Sequence, residues 1–298
     1  MSVLSARWRI CVMLAPALLF YLPFFVVPLG LSVYYSLTSF SGAGSSKFVG
    51  LSNYSTLFHD TFFWISFRNT GIILAEALVL LVPGAFFLAL FLRDRRVRGA
   101  QAMRALIFAP VIIAPILVGL IFVFILDPNI GFINQALGRL GIHAKPQWIG
   151  GVSLTPYVVG LVYIWENIGF ILTIFYAGLQ MLPRDVFEAA QVDGASPRDQ
   201  VRYITIPLLR ETFGICTVLV ITGVFRIFEL VYELTGGGPV HDSDVLTSYM
   251  YYLTFTTFRY GYGMALAVVI CALSIGVFGF YLFAASRRQR SFRGPGNE

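Results

Sequence analysis

Four ionisable side chains fall inside long apolar runs of this 298-residue chain: Glu76, Glu166, Arg226 and Glu229. A charge in such a run is costly in hydrocarbon, so each is a functional candidate by default. Three of them stand among groups that bind polar solutes. Trp165, Glu166 and Asn167 put an aromatic face, a carboxylate and an amide on consecutive residues, and Arg226, Glu229 and Tyr232 add a guanidinium, a second carboxylate and a phenol. Aromatic faces stack on rings, while carboxylates and amides hydrogen-bond to hydroxyls. A plainer reading competes: Arg226 pairs with Glu229 at i, i+3, or with a Glu on a neighbouring helix, and only holds a bundle together.

A second set lies in the polar stretch 180–211. Glu188, Ala189 and Ala190 are followed by Asp193 and Gly194, then by Ile204 and Pro207. Pro183 suits the first turn of a helix and Gly194 the position just past its end. Leu182, Val186 and Ala190 make one apolar face, widened by Phe187 and Ala189. Ser196-Pro197, with Asp199 three residues after the serine, opens a second short helix. Pro207 marks a break. A helix–glycine–helix element of this kind is rigid enough to transmit a push, and its alanines admit a close partner. A helix lying flat on lipid fits the same pattern equally well.

Chemistry of other kinds finds no support. The sequence has no G-x-x-x-x-G-K-[ST] loop and no H-E-x-x-H pair. His59, His143 and His241 stand apart in polar segments and read as loop residues. Cys11, Cys216 and Cys271 lack paired or metal-type spacing and read as small packing residues. No ATP, magnesium or metal site is therefore expected in this chain.

The elements that position these groups follow from composition. The chain is 57% hydrophobic and 12% charged, with mean hydropathy +0.78. A soluble domain carries about 25% charged residues, so much of this surface must face lipid. A membrane span needs about 20 apolar residues. Six runs qualify, near 10–37, 69–92, 105–126, 156–179, 212–234 and 263–285, and they read as helices. The first contains Pro16, Pro23 and Pro28 and should be irregular toward its outer end. It is also too long for a cleavable signal. At 1.5 Å per residue, Glu166 lies about 15 Å from the outer end of its run, near the midplane, Glu76 about 11 Å from its outer end, and Arg226 about 21 Å from its inner end.

Arg7 and Arg9, the arginines between 93 and 104, those between 184 and 210, and those between 287 and 293 flank the runs on one side. Lys47, Arg68, Arg139, Lys145 and Arg259 lie on the other. The imbalance puts both termini and the 180–211 loop in the cytoplasm. The net charge of +6 is thus a membrane signature, and nucleic acid is not an expected partner. The chain divides into a first span with its outer loop (1–66), a core of five spans carrying the loop (67–286) and a basic tail (287–298).

The loop resembles the signature of binding-protein-dependent permeases: Glu-Ala-Ala, three residues, Gly, nine residues, Ile, one residue, Leu-Pro. Glu188-Ala189-Ala190, Gly194, Ile204 and Pro207 stand at those spacings, with Ile206 in place of the Leu. Val49-Gly50-Leu51-Ser52-Asn53-Tyr54, Asp127-Pro128 and Thr235-Gly236-Gly237-Gly238-Pro239 resemble the carbohydrate-import branch, the maltose and glycerol-phosphate type. The resemblance implies a type I ABC importer permease fold, all-α, in a bacterial inner membrane. It also implies a non-catalytic pore subunit with four kinds of neighbour: lipid, a second homologous permease, two ATPase subunits that bind ATP and magnesium, and an extracytoplasmic solute-binding protein. Glu188 to Gly194, with Ile204 and Pro207, would contact the ATPase. Trp165, Glu166, Asn167, Arg226, Glu229 and Tyr232 would line the solute path. The same machine for a non-sugar solute is the nearest alternative. An ion-driven secondary transporter would need an inverted repeat that the sequence does not display.

Overall fold

Backbone groups in hydrocarbon have no water to bond, and the apolar runs close their hydrogen bonds within helices. The structure, a computed structural model, describes residues 3–44, 46–94, 97–142, 146–151 and 154–292, with side chains between 10 and 283. Arg95, Arg96, His143, Lys145 and Arg293, and the side chains of Arg7, Arg9, Arg287, Arg288 and Arg290, lie outside the described residues. Among the described residues there is no strand beyond one isolated bridge, Thr38 to Phe48.

The helices, in chain order, are α1 (Val3–Tyr21), α2 (Val27–Ser36), α3 (Ser52–His59), α4 (Thr61–Glu76), α5 (Val82–Arg93), α6 (Ala100–Phe108), α7 (Pro115–Ile125) and α8 (Phe132–Arg139). They continue with α9 (Thr155–Gln180), α10 (Arg184–Val192), α11 (Pro197–Asp199), α12 (Ile206–Leu208), α13 (Arg210–Phe225), α14 (Glu229–Thr235), α15 (Leu246–Tyr251) and α16 (Tyr260–Phe292). Four uninterrupted stretches are long and apolar enough to cross a membrane: Ile10–Ser36, Thr61–Arg93, Thr155–Gln180 and Tyr260–Phe283. Two bent pairs raise the number to six if each is one span.

The first run is irregular where its prolines predict. A wider π-helical turn, Leu22–Val26, joins α1 to α2 and absorbs the N–H groups that Pro23 and Pro28 lack. The third expected span, 105–126, is not one helix. Ala100–Ile112 and Pro115–Ile125 meet at 100°. Ala114, before Pro115, is extended, with ψ 137°, as the residue before a proline prefers. The fifth, 212–234, is also broken. α13 ends at Phe225, α14 begins at Glu229, and Phe228 between them has φ −137° and ψ −63°.

Two compact units emerge from the packing. In the first, Met1–Thr61 with Met250–Ala272, the Asn53 amide donates to the carbonyls of Ser36 (2.8 Å) and Thr38 (2.9 Å). The Tyr262 hydroxyl donates to Asp60 at 2.6 Å. A Cβ on Gly261 would lie 2.1 Å from the Thr38 carbonyl, so only glycine admits this approach.

The second unit, Phe62–Tyr249 with Leu273–Glu298, is built around α9. α5, α6, α7, α13 and α14 all pack against it. Phe175 of α9 meets Phe86 and Phe213 edge-on, at 5.6 and 4.7 Å between centroids. Burial from lipid gains little for apolar side chains, so close packing must hold these helices together. Gly169 supplies it: a Cβ there would stand 2.3 Å from the Ile107 carbonyl and 2.6 Å from Phe108 Cα. Cys216 is buried, as expected of a packing residue. Cys11 is exposed, in the apolar Ile10–Ser36 stretch.

Candidate functional site

The 180–211 loop folds by its own sequence. α10 runs from Arg184 to Val192, with Pro183 at the cap position before its first residue rather than inside the first turn. Gly194 has φ +82°, the left-handed conformation that favours glycine. Across it the Ala195 N–H donates to the Ala190 carbonyl (2.9 Å) and the Gly194 N–H to the Gln191 carbonyl (3.1 Å). These are the two bonds of a Schellman end. Ser196 then caps the next helix in a reciprocal box with Asp199, as Ser-x-x-Asp predicts. That helix runs from 197 to 208 through a π-helical stretch, Gln200–Thr205, and bends by 68° into α13. The bend falls at Leu209, just after Pro207, so the proline lies inside the second helix rather than at a break ahead of the span.

α10 presents two faces. Phe187 and Ala190 are half-buried, and Phe187 lies under the Arg93 guanidinium, 5.4 Å from it. Val186 and Ala189, expected on that inner face, are exposed instead. The reason is rotational: Phe187, the largest apolar residue of α10, takes the packed position, and the helix turns to suit it. Asp185, Glu188, Ala189 and Val192 therefore form an open outer face at i, i+3, i+4, i+7. Val192 is 89% exposed and Met181, at the loop's start, 85%. Asp193 and Gly194 are exposed, Ile204 is half-buried and Pro207 is exposed.

The polar candidates divide. Trp165 is 44% exposed and meets Phe122 of α7 edge-on at 5.1 Å, whereas Glu166 is only 6% exposed and faces the interior. The Asn167 amide donates to the Tyr163 carbonyl of its own helix at 2.9 Å. Arg226 caps α13 and Glu229 opens α14, both exposed. Among the described residues no ion pair joins them. Tyr232 is exposed, its ring 5.4 Å from that of Phe228. α14 lies against both α7 and α9. The break at 226–228, held by a hydrogen bond from the Thr247 hydroxyl to the Ile227 carbonyl, thus separates the Arg226 and Glu229 side chains that one helix would have stacked. Glu76, the remaining charge, lies over Gly160 of α9, and its Oε2 is buried with no hydrogen-bond partner among the described residues.

The polar segments contain order that sequence reasoning missed. Asp127 accepts from the N–H groups of Asn129 (2.7 Å) and Ile130 (2.9 Å). Those bonds, Ile130's first, hold its carboxyl below the usual range. In the 236–245 loop, Gly236 and Gly237 have positive φ, and a Cβ on Gly237 would lie 2.6 Å from the Asp244 carboxylate. Asp244 is buried and accepts from Ser248 (2.5 Å) and His241 (2.6 Å). Burial pushes its carboxyl up despite those two partners. His241, read as an isolated loop residue, packs against Phe62 and Tyr249. The side chain of Asn69, on α4, pins this loop through the Asp242 and Asp244 carbonyls.

Residues 81–291 match the family described as binding-protein-dependent transport system inner membrane component. The probable ABC transporter permease protein YurN of Bacillus subtilis is 34% identical over 267 residues, covering 89% of this chain and 91% of that one. The sulfoquinovosyl glycerol transport system permease protein SmoG of Agrobacterium fabrum is 32% identical, over 94% and 91%. The sn-glycerol-3-phosphate transport system permease protein UgpA of Escherichia coli is 31% identical, over 92% of each. Among solved structures, a chain of a bacterial ABC transporter involved in import of the acidic polysaccharide alginate has a TM-score of 0.81. It is 22% identical and the match covers 95% and 96% of the two chains, a likeness of fold.

Proposed function

The chain belongs to the family of binding-protein-dependent transport system inner membrane components, and from that premise we propose that it is the pore subunit of an ATP-driven importer of a carbohydrate or sugar derivative. Six spans, counting each bent pair as one, leave both termini in the cytoplasm. The arginine distribution supports this orientation. Hydrolysis belongs to two separate ATPase subunits, which hold the ATP and magnesium, since the sequence offers no phosphate-binding loop. A second, homologous permease completes the pore, and an extracytoplasmic binding protein delivers the solute.

The observation that carries this reading is the outer face of α10. Asp185, Glu188, Ala189 and Val192 stand open on a helix whose far end is locked by Gly194 and whose inner face is seated under Arg93. Such a helix moves as a body with the spans behind it. ATPase closure pushes this face, and the bend at Leu209 passes the displacement into α13. Glu188, Ala189, Ala190, Asp193 and Gly194 form the contact, with Ile204 and Pro207 in the second arm.

Solute passes the exposed set Trp165, Arg226, Glu229 and Tyr232, with Glu166 and Asn167 behind it. An Arg226 that forms no ion pair with Glu229 suits a solute bearing an acidic group. The named solutes of SmoG and UgpA, sulfoquinovosyl glycerol and sn-glycerol-3-phosphate, both bear an acidic group and point the same way. The test is uptake into proteoliposomes holding the assembled complex, across neutral and acidic sugars, with and without ATP and a proton gradient. ATP-dependent, gradient-independent uptake of a sugar supports the proposal. Uptake driven by the gradient alone contradicts it.

A further inference from the structure

Three arginines converge on one tyrosine. The Arg104 guanidinium stands 3.9 Å from the centre of the Tyr176 ring. Arg93, at the end of α5, and Arg184, at the start of α10, line a cavity of about 630 Å³ together with Tyr176, Gln180 and Leu182. That is space for roughly twenty waters at about 30 Å³ each. No described residue lining it is acidic. Arg93 also lines an adjoining groove together with Asp94, Phe187 and Gln191, and Asp94 is not among the residues that line the cavity.

Arg93 is half-buried. It has given up hydration with no carboxylate among the residues that line the cavity, and such a cation calls for an anion. Arg104, also half-buried, donates through Nε to the Ala100 carbonyl (3.4 Å). Arg184, the first residue of α10, lines the cavity, so the positive end of that helix's dipole lies at its edge, and Pro183 offers no side-chain cap. Guanidinium forks match phosphate oxygens two by two, and the Tyr176 hydroxyl and Gln180 amide are further donors. The depth is informative as well. Arg93 and Gln180 are the last residues of two apolar stretches, Thr61–Arg93 and Thr155–Gln180, so the cavity opens where hydrocarbon gives way to headgroups.

We propose that this cavity binds a phosphate group, carried by an anionic phospholipid headgroup or by a free phosphate. The occupant neutralises the repulsion between Arg93 and Arg184 and ties the base of α10 to α5 and α9. Both arms of the test use the purified transporter complex in phosphatidylcholine nanodiscs. One arm adds phosphatidylglycerol in steps and follows the melting temperature and the lipid retained in native mass spectrometry. The other titrates inorganic phosphate at constant ionic strength, with chloride as the control. The variants are Arg93→Gln with Arg184→Gln, and Arg184→Gln alone, whose exposed side chain can be changed without disturbing a span. A saturable stabilisation of the native complex is expected, weakened about tenfold or more in the double variant, the loss of at least one charge-assisted hydrogen bond. The single variant weakens it in the same direction. A response to phosphatidylglycerol alone identifies the lipid as the source, and a response to phosphate alone the free anion. A native complex that responds to neither, or responses unchanged in both variants, overturns the proposal.

Discussion

The Ala195 N–H donates to the Ala190 carbonyl at 2.9 Å, and that bond exists because Gly194 between them adopts φ +82°. No atom lies within 4 Å of the place where a Gly194 Cβ would stand, so a substitution there meets conformational cost alone. A left-handed L-residue costs about 1–2 kcal/mol, least for Asn or Asp. Gly194→Val is expected to fray the end of α10 and cut transport severely, at normal membrane abundance. Gly194→Asn is expected to retain most of it. Gly194→Asp separates shape from charge, since it tolerates the backbone but sets a second anion beside Asp193. Uptake rates of the three variants in the order Asn, Asp, Val check this. Equal rates contradict it.

Gly169 is the opposite case. A Cβ there would enter backbone, 2.3 Å from the Ile107 carbonyl, which cannot swing aside as a side chain can. Gly169→Val is expected to push α9 off the α6 junction, destabilising the protein by about 1–3 kcal/mol. Gly138→Ala, where nothing lies within 4 Å, should leave stability within about 0.5 kcal/mol, as for ordinary surface changes. Thermal denaturation in detergent compares the two.

Arg226 and Trp165 are expected to act on the solute in different ways. Arg226→Gln removes a charge that no Glu229 ion pair holds, so uptake of an acidic solute should lose about tenfold or more in apparent affinity. Uptake of its neutral analogue should change little. Trp165→Ala should weaken both solutes, because stacking ignores charge. Equal losses for both solutes in Arg226→Gln would show that the arginine is only structural.

Asp244 carries a pH dependence. Burial holds the folded-state carboxyl of Asp244 above its usual value of 3.8. A raised carboxyl keeps its proton longer when folded, so its contribution to stability is full below 3.8 and is lost as pH rises through the folded value. Asp244→Asn is expected to lack that loss. Melting curves of both proteins from pH 3 upward, about one unit apart, should converge in slope only when Asp244 is fully ionised.

The sequence was informative where local chemistry decides the structure. Gly194 and the Ser196–Asp199 box are capping signals, and both formed. The apolar runs demanded helices whatever their packing. Direction was the part not legible. α10's inner face was chosen by Phe187 settling under Arg93, a contact across the chain that placed Val186 and Ala189 outside. The third run reads as one helix, and the break that Pro115 imposes after the extended Ala114, with its 100° angle, went unread. The stretch from Arg226 to Phe228 contains neither Gly nor Pro, so nothing local ends α13 there. Its break rests on tertiary contacts such as Thr247 to Ile227. Adjacent residues Trp165 and Glu166 also read alike, because in an apolar helix no polar face tells the open side from the packed one.

The central claim is that the outer face of α10 receives the ATPase, and Glu188 is one of its two exposed charges, with Asp185. Glu188→Lys reverses that charge outside the hydrocarbon, so the chain should insert and accumulate normally. The most direct measurement is binding-protein-stimulated ATP hydrolysis by the co-purified complex, with uptake measured alongside. The account predicts ATPase subunits lost on purification, or hydrolysis that no longer responds to the loaded binding protein, and uptake abolished in either case. Full co-purification of Glu188→Lys with normal stimulation and normal uptake would contradict it.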